Sequence, residues 1–93
     1  MPERKQVKVN IYNQPYTMVT EGDPAEVEEV ATAVDGLMRS IASRSGSADG
    51  SRVAVLACMH VADQLKETEK ELKALKDLTA SKYAELLKLL ETI

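Results

Sequence analysis

No proline and no glycine follows Gly50 in this chain. Either residue would weaken or break a helix, so the whole segment from Ser51 to the end is free to form one. At 1.5 Å per residue that helix would be roughly 60 Å long. This is far longer than a small domain is wide, so its far half is expected to project as a rod. Near its start stands "RVAVLACMHVADQL", in which Val53 to Met59 are consecutive apolar residues. A helix that is apolar all round must be covered all round. The chain has little of its own to cover it with: 93 residues, three Tyr, no Phe and no Trp. A chain of this length buries a modest share of its surface, so self-association is the expected source of further burial.

The pattern along the helix supports this. Ala54, Cys58, Val61, Leu65, Thr68, Leu72 and Leu75 recur at alternating steps of three and four, as in a coiled-coil seam. The seam passes Thr79, takes a second four-residue step to Tyr83 and continues through Leu86, Leu90 and Ile93. Such a step locally unwinds a left-handed supercoil. Leu78, Leu87 and Leu89 widen the apolar face, which suits four helices better than two. Interspersed Lys and acidic residues from Asp63 to Glu91 read as the solvated remainder. Upstream, Val53, Leu56, Ala57 and either Met59 or His60 are expected to receive the rest of the chain, and Ala54, Cys58, Val61 and Leu65 a partner helix.

The N-terminal part has two signals. In "VKVNIYNQPYTMV", Val7, Val9 and Ile11 alternate with polar neighbours at strand period. Asn tolerates positive φ, so Asn13-Gln14 is the expected turn, pairing Ile11 with Tyr16 and Val9 with Met18. Pro15 suits an edge. A lone hairpin is marginal in water, so its apolar face should rest on a helix. That helix begins at "GDPAEVEEV": Asp23 is the cap, Pro24 the first helical residue, and Glu26 completes a capping box. Helical spacing of Val27, Val30, Ala31, Val34, Leu37, Met38 and Ile41 carries it over about 24–44. It ends in the loop "SRSGSADG", after which Asp49 or Ser51 can cap the long helix. Met18, Met38 and Met59 are expected in the core. The fold class is α+β, mostly α. A head over about 1–60 holds a hairpin at 7–19, a helix at 24–44 and the start of the long helix from about 50. A coiled-coil rod over 61–93 continues from it.

Net charge is −3, with no basic stripe for nucleic-acid phosphates. No apolar run approaches membrane-spanning length, and the N-terminus lacks the apolar core of a signal peptide. With a single Cys, these features read as a soluble cytoplasmic protein. Cys58 and His60 lie two apart, on different helix faces, with no further Cys or His to complete a metal set. His60 is the only His, so no nucleophile pair forms, and no glycine motif cradles phosphate. Glu26, Glu28 and Glu29 are accounted for by a first helical turn. No enzyme, cofactor or metal is expected. Arg39, Arg44 and Arg52 surround the loop between the helices. They either neutralise helix ends or form a small basic patch facing an acidic partner.

"VKVNIYNQPYTM", then "DP" opening a helix with "AVDGLMRSIAS", then "DGSRVAVLACMHVADQL", resemble the ZapA family of bacterial cell-division proteins over about Val7 to Leu65. The tail agrees in type. The resemblance implies a non-enzymatic protein that binds FtsZ, the tubulin-like division polymer, and cross-links its protofilaments at midcell. It implies dimerisation through the long helix and, in many relatives, an antiparallel tetramer. It places FtsZ contacts on the head, at the hairpin turn and around the inter-helix loop. By position these are Gln14, Arg39, Arg44, Ser51, Arg52 and Leu56. Many relatives have Gly then a polar or basic residue at the turn; here Gln14 is uncharged, which leaves Lys8 or Arg52 to supply a cation. Ser51 stands where some relatives have an acid, and Leu56 keeps an apolar residue. The competing reading is a coiled-coil adaptor for another cytoplasmic partner.

Overall fold

A computed structural model describes residues 3–92. Strand β1 (Lys5–Ile11) and strand β2 (Gln14–Thr20) form an antiparallel hairpin, followed by helix α1 (Pro24–Ser45) and helix α2 (Gly50–Glu91). The order and type of the elements match the α+β, mostly helical expectation. Ile93, expected at the end of the seam, lies outside the described residues.

The hairpin forms, but one position away from the expected turn. Ile11 pairs with Gln14, Val9 with Tyr16 and Val7 with Met18, so the two loop residues are Tyr12 and Asn13. Gln14 is the first residue of β2, not half of the turn. Moving a two-residue loop by one position moves every cross-strand partner by two. Side chains alternate with period 2, so the apolar set stays on the same face in either register. The pattern therefore could not discriminate between them.

Helix α1 lies over β1. Val7 and Val9 are buried with Ala31, and Ile11 and Val27 pack against them. Strand β2 is less covered than expected: Tyr16 and Met18 remain about half exposed, at 48% and 46%. The start of α1 is capped by Asp23, whose Oδ1 accepts the Ala25 N–H at 2.9 Å, with Pro24 in the first turn. This satisfies one of the free donors at the helix start. The Glu26 N–H donates to the Asp23 carbonyl at 3.1 Å. The reciprocal bond of a capping box, from the Asp23 N–H to the Glu26 side chain, is absent among the described residues. At the other end Gly46 adopts φ 68°, the left-handed conformation that glycine enters without a Cβ penalty, and its N–H closes the helix on the Ala42 carbonyl at 3.1 Å. Helix α2 is capped by Asp49, whose Oδ1 accepts the Ser51 N–H at 3.1 Å.

The chain divides into two compact units, one ending at Met59 and the other beginning at His60. In the first, the opening turns of α2 complete the core. Val53 is fully buried and Ala57 nearly so, both against Met38, with Ile11, Tyr12, Leu37 and Ile41 around them. Only part of the expected contact side is dry. Leu56 is 39% and Met59 67% exposed, and His60 is exposed too. Residues four apart stack on one helical face, so the intramolecular face is Val53 and Ala57. Ala54, expected on the partner seam, is half-buried and packs against this same cluster. Of the three methionines expected in the core, Met38 alone is buried. In the second unit α2 continues to Glu91, and every described residue is exposed.

Candidate functional site

Tyr12 and Asn13 both have positive φ, 51° and 64°. This is the backbone of a type I′ turn, whose twist matches that of the flanking strands. Asn enters the region readily; a bulky aromatic residue there is an outlier. The compensating contacts come from α1 and from the loop before α2. The Tyr12 N–H donates to Asp35 Oδ1 at 2.7 Å. Arg39, one helical turn on from Asp35, donates through Nε to Asp35 Oδ2 at 3.0 Å and through Nη2 to Asn13 Oδ1 at 2.9 Å. The Tyr12 hydroxyl donates to the Ala48 carbonyl at 3.2 Å. Gly50 lies so close to the Tyr12 ring that a Cβ there would sit 3.8 Å from it. Charge follows the same geometry. The hydrogen bond from Arg39, and after it the N–H of Tyr12, holds the Asp35 carboxyl below its ordinary pKa, and partial desolvation opposes them.

The structure thus gathers the hairpin turn, the middle of α1 and the inter-helix loop into one place. Gln14 follows the turn directly and is exposed; Ser51 and Arg52 follow Gly50 and are exposed. Arg39 is tied to the turn yet has 51% of its side chain accessible. Arg44 is exposed in the last turn of α1, and Leu56 lies on α2 beyond Arg52. Asp35, Tyr12 and Ala48 were not singled out from sequence. The spacing of Asp35 and Arg39 was a legible signal for a helical ion pair, but their shared partner lies more than twenty residues upstream.

Two apolar surfaces accompany this cluster. One is an open groove of about 390 Å³ between hairpin and α1, lined by Val9, Ile11, Met18, Val27, Val30 and Val34. The other is the stripe on α2. At about 100° per residue, Val61, Leu65, Thr68, Leu72, Leu75, Thr79, Tyr83, Leu86 and Leu90 fall within roughly 80° of arc, whereas Ala54, expected on the same seam, packs inward. The large members of the stripe are exposed, from 50% at Leu72 to 63% at Tyr83. Among the described residues no group of three His, Cys, Asp or Glu could hold a metal ion, and no helix is long and apolar enough to cross a membrane.

Residues 7–92 match the family model described as cell division protein ZapA. A protein of Halalkalibacterium halodurans described as cell division protein ZapA is 34% identical over 73 residues, covering 78% of this chain and 80% of its own. A Bacillus thuringiensis protein of the same description is 34% identical over 74 residues, covering 76% and 83%. Among solved structures, a ZapA mutant dimer from Geobacillus stearothermophilus superposes with a TM-score of 0.64 at 29% identity, over 81% of this chain and 87% of that one.

Proposed function

The chain belongs to the ZapA family of cell-division proteins, and from that premise we propose that it binds the FtsZ polymer and cross-links its protofilaments at the bacterial division site, without catalysis. The observation that carries this reading is the stripe on α2. Leu65, Leu72, Leu75, Tyr83, Leu86 and Leu90 are each at least half exposed on one face of a helix that buries nothing beyond Ala57. Contiguous apolar surface of this extent marks an interaction face, and a heptad stripe is complementary to a copy of itself. The solved relative that superposes on this chain is a dimer.

Self-association gives the mechanism. Each copy contributes one partner-binding surface, made of Gln14, Ser51, Arg52 and Leu56 with Arg39 and Arg44 beside them. Paired copies present two such surfaces, and a tail-to-tail pairing of dimers would present four. A polymer with a repeating site is then held by several weak contacts whose effective concentration rises with each one made. The three arginines favour an acidic partner surface. The protein works in the cytoplasm, where FtsZ assembles.

The test is co-sedimentation. Purified protein is expected to increase the FtsZ pelleted with GTP and to produce bundles by electron microscopy. Pelleting and filament morphology unchanged across protein concentration and salt would sink the proposal and leave a coiled-coil adaptor for a different partner.

A further inference from the structure

We propose that Asp35 is a positioning residue that holds the Tyr12–Asn13 turn in its left-handed conformation and thereby fixes the turn before Gln14 against the loop that leads into Ser51 and Arg52, ordering the proposed partner-binding surface. The role rests on the function proposed above; the clamp itself does not.

The turn needs an external hold. Two-residue hairpin loops with two positive φ angles favour Asn-Gly and its relatives, because glycine enters the left-handed region freely. This chain places Tyr at the first loop position and has no glycine at either. A single carboxylate meets the need. Its Oδ1 takes the Tyr12 N–H at 2.7 Å, and its Oδ2 takes Arg39 Nε at 3.0 Å, which aims Arg39 Nη2 at Asn13 Oδ1, 2.9 Å away. Backbone of the first loop residue and side chain of the second are gripped from one turn of α1. A carboxylate accepting an N–H and a guanidinium makes charge-assisted bonds, stronger than neutral ones. The hydroxyl of the same Tyr12 then reaches the Ala48 carbonyl at 3.2 Å. The hold on the turn is passed to the loop that leads into Ser51.

An ordinary surface ion pair spaced four residues apart would contribute little and would leave the turn unchanged when broken. The clamp predicts otherwise. It also reassigns Arg39, whose guanidinium orients the turn while its remaining accessible edge faces outward. A surface ordered before binding loses less entropy on binding, which is the advantage of tying turn and loop together.

The test compares wild-type protein with Asp35→Asn, Asp35→Ala and Asp35→Ala combined with Asn13→Gly. The first readout needs no partner: hydrogen exchange at the Tyr12 amide by NMR, with the Val53 and Met38 amides as controls for folding of the first unit. Loss of a charged acceptor should speed Tyr12 exchange about tenfold or more while both controls stay protected. Unchanged Tyr12 protection in Asp35→Ala overturns the clamp. The second readout is the protein concentration giving half-maximal FtsZ bundling. It should rise about tenfold in Asp35→Ala, and Asn13→Gly should recover most of that loss without restoring any carboxylate. If Asn13→Gly restores the positive φ of Tyr12, read from its amide–Hα three-bond coupling, and bundling stays weak, Asp35 touches the partner itself and the positioning role is wrong. Wild-type protein that leaves FtsZ unbundled overturns the proposed function and the presentation role, while Tyr12 exchange still decides the clamp.

Discussion

Met38 and Leu72 are both large apolar residues on well-formed helices, yet their surroundings differ completely. Met38 is 7% exposed, enclosed by Val53 and Ala57 with Leu37, Ile41 and Ala42 around it; Leu72 is 50% exposed. Around Met38 the chain supplies its own cover, because a hairpin, a helix and the start of a second helix converge there. Leu72 lies in the unit that begins at His60, in which every described residue is exposed, and a helix cannot cover its own stripe. The difference teaches where this molecule can be complete alone. The unit ending at Met59 has a small core and a satisfied set of caps. From His60 onward an isolated helix would rely on propensity and on exposed pairs such as Lys82 with Glu85, at 3.5 Å, each worth at most about 0.2–0.5 kcal/mol. That is marginal for a helix in water, which is why the proposed function has a partner copy cover it.

The largest expected effect comes from breaking the uncovered side. Leu72 and Leu86 are about half exposed, at 50% and 54%, so Leu72→Lys together with Leu86→Lys would forfeit about 0.8–1.5 kcal/mol of burial per leucine in each copy of the proposed assembly. Sedimentation equilibrium should then show a monomer at concentrations where the unchanged protein associates. FtsZ bundling should fall while the amides of Met38 and Val53 remain protected. A double variant that keeps its assembled mass would show that the stripe is not what self-association uses.

The covered side predicts a different kind of loss. Met38→Ala should cost about 2–5 kcal/mol of stability, the usual range for emptying a buried site of this size. It should lower the urea midpoint of the unit ending at Met59 and leave the helical signal of assembled α2 largely in place. Loss of both together at every protein concentration would mean that the two regions do not differ in the way their burial implies.

The smallest effect concerns pH. Asp35 is held below its ordinary pKa by Arg39 first and by the Tyr12 N–H second. Its contribution is therefore fully present above the ordinary aspartate value, about pH 4, and is lost as pH falls through the lowered value of the folded state. Asp35→Asn should be less stable than the unchanged protein near pH 7, and the gap should narrow toward pH 3. Parallel urea midpoints across that range would show that the carboxylate carries no net stabilisation.

Much of the candidate site was legible by position. Gln14, Ser51 and Arg52 came from a resemblance in order and spacing; the structure shows that the turn preceding Gln14 is bonded to the loop that leads into Ser51. What was not legible was how turn and loop are held. The bonds that hold them span 23 residues from Tyr12 to Asp35 and 36 from Tyr12 to Ala48, and no local pattern marks either. The turn was misplaced for a related reason: two registers put the same apolar side chains on the same face, and the contacts specific to the observed one, from Asp35, Arg39 and Ala48 to Tyr12 and Asn13, come from distant parts of the sequence.

By itself, then, the sequence determined much of what is local in this protein: Asp23 as the start of α1, its end in the loop around Gly46, an unbroken helix after Gly50, and the stripe from Val61 to Leu90. Caps, propensity and periodicity act within a few residues and need nothing else. Tertiary structure decided which side of "RVAVLACMHVADQL" is dry, burying Val53 and Ala57 and leaving Leu56 and Met59 open. It also decided that a tyrosine can occupy a left-handed turn. Both outcomes depend on what packs against the segment, and a run that is apolar all round carries no preference of its own until a neighbour arrives.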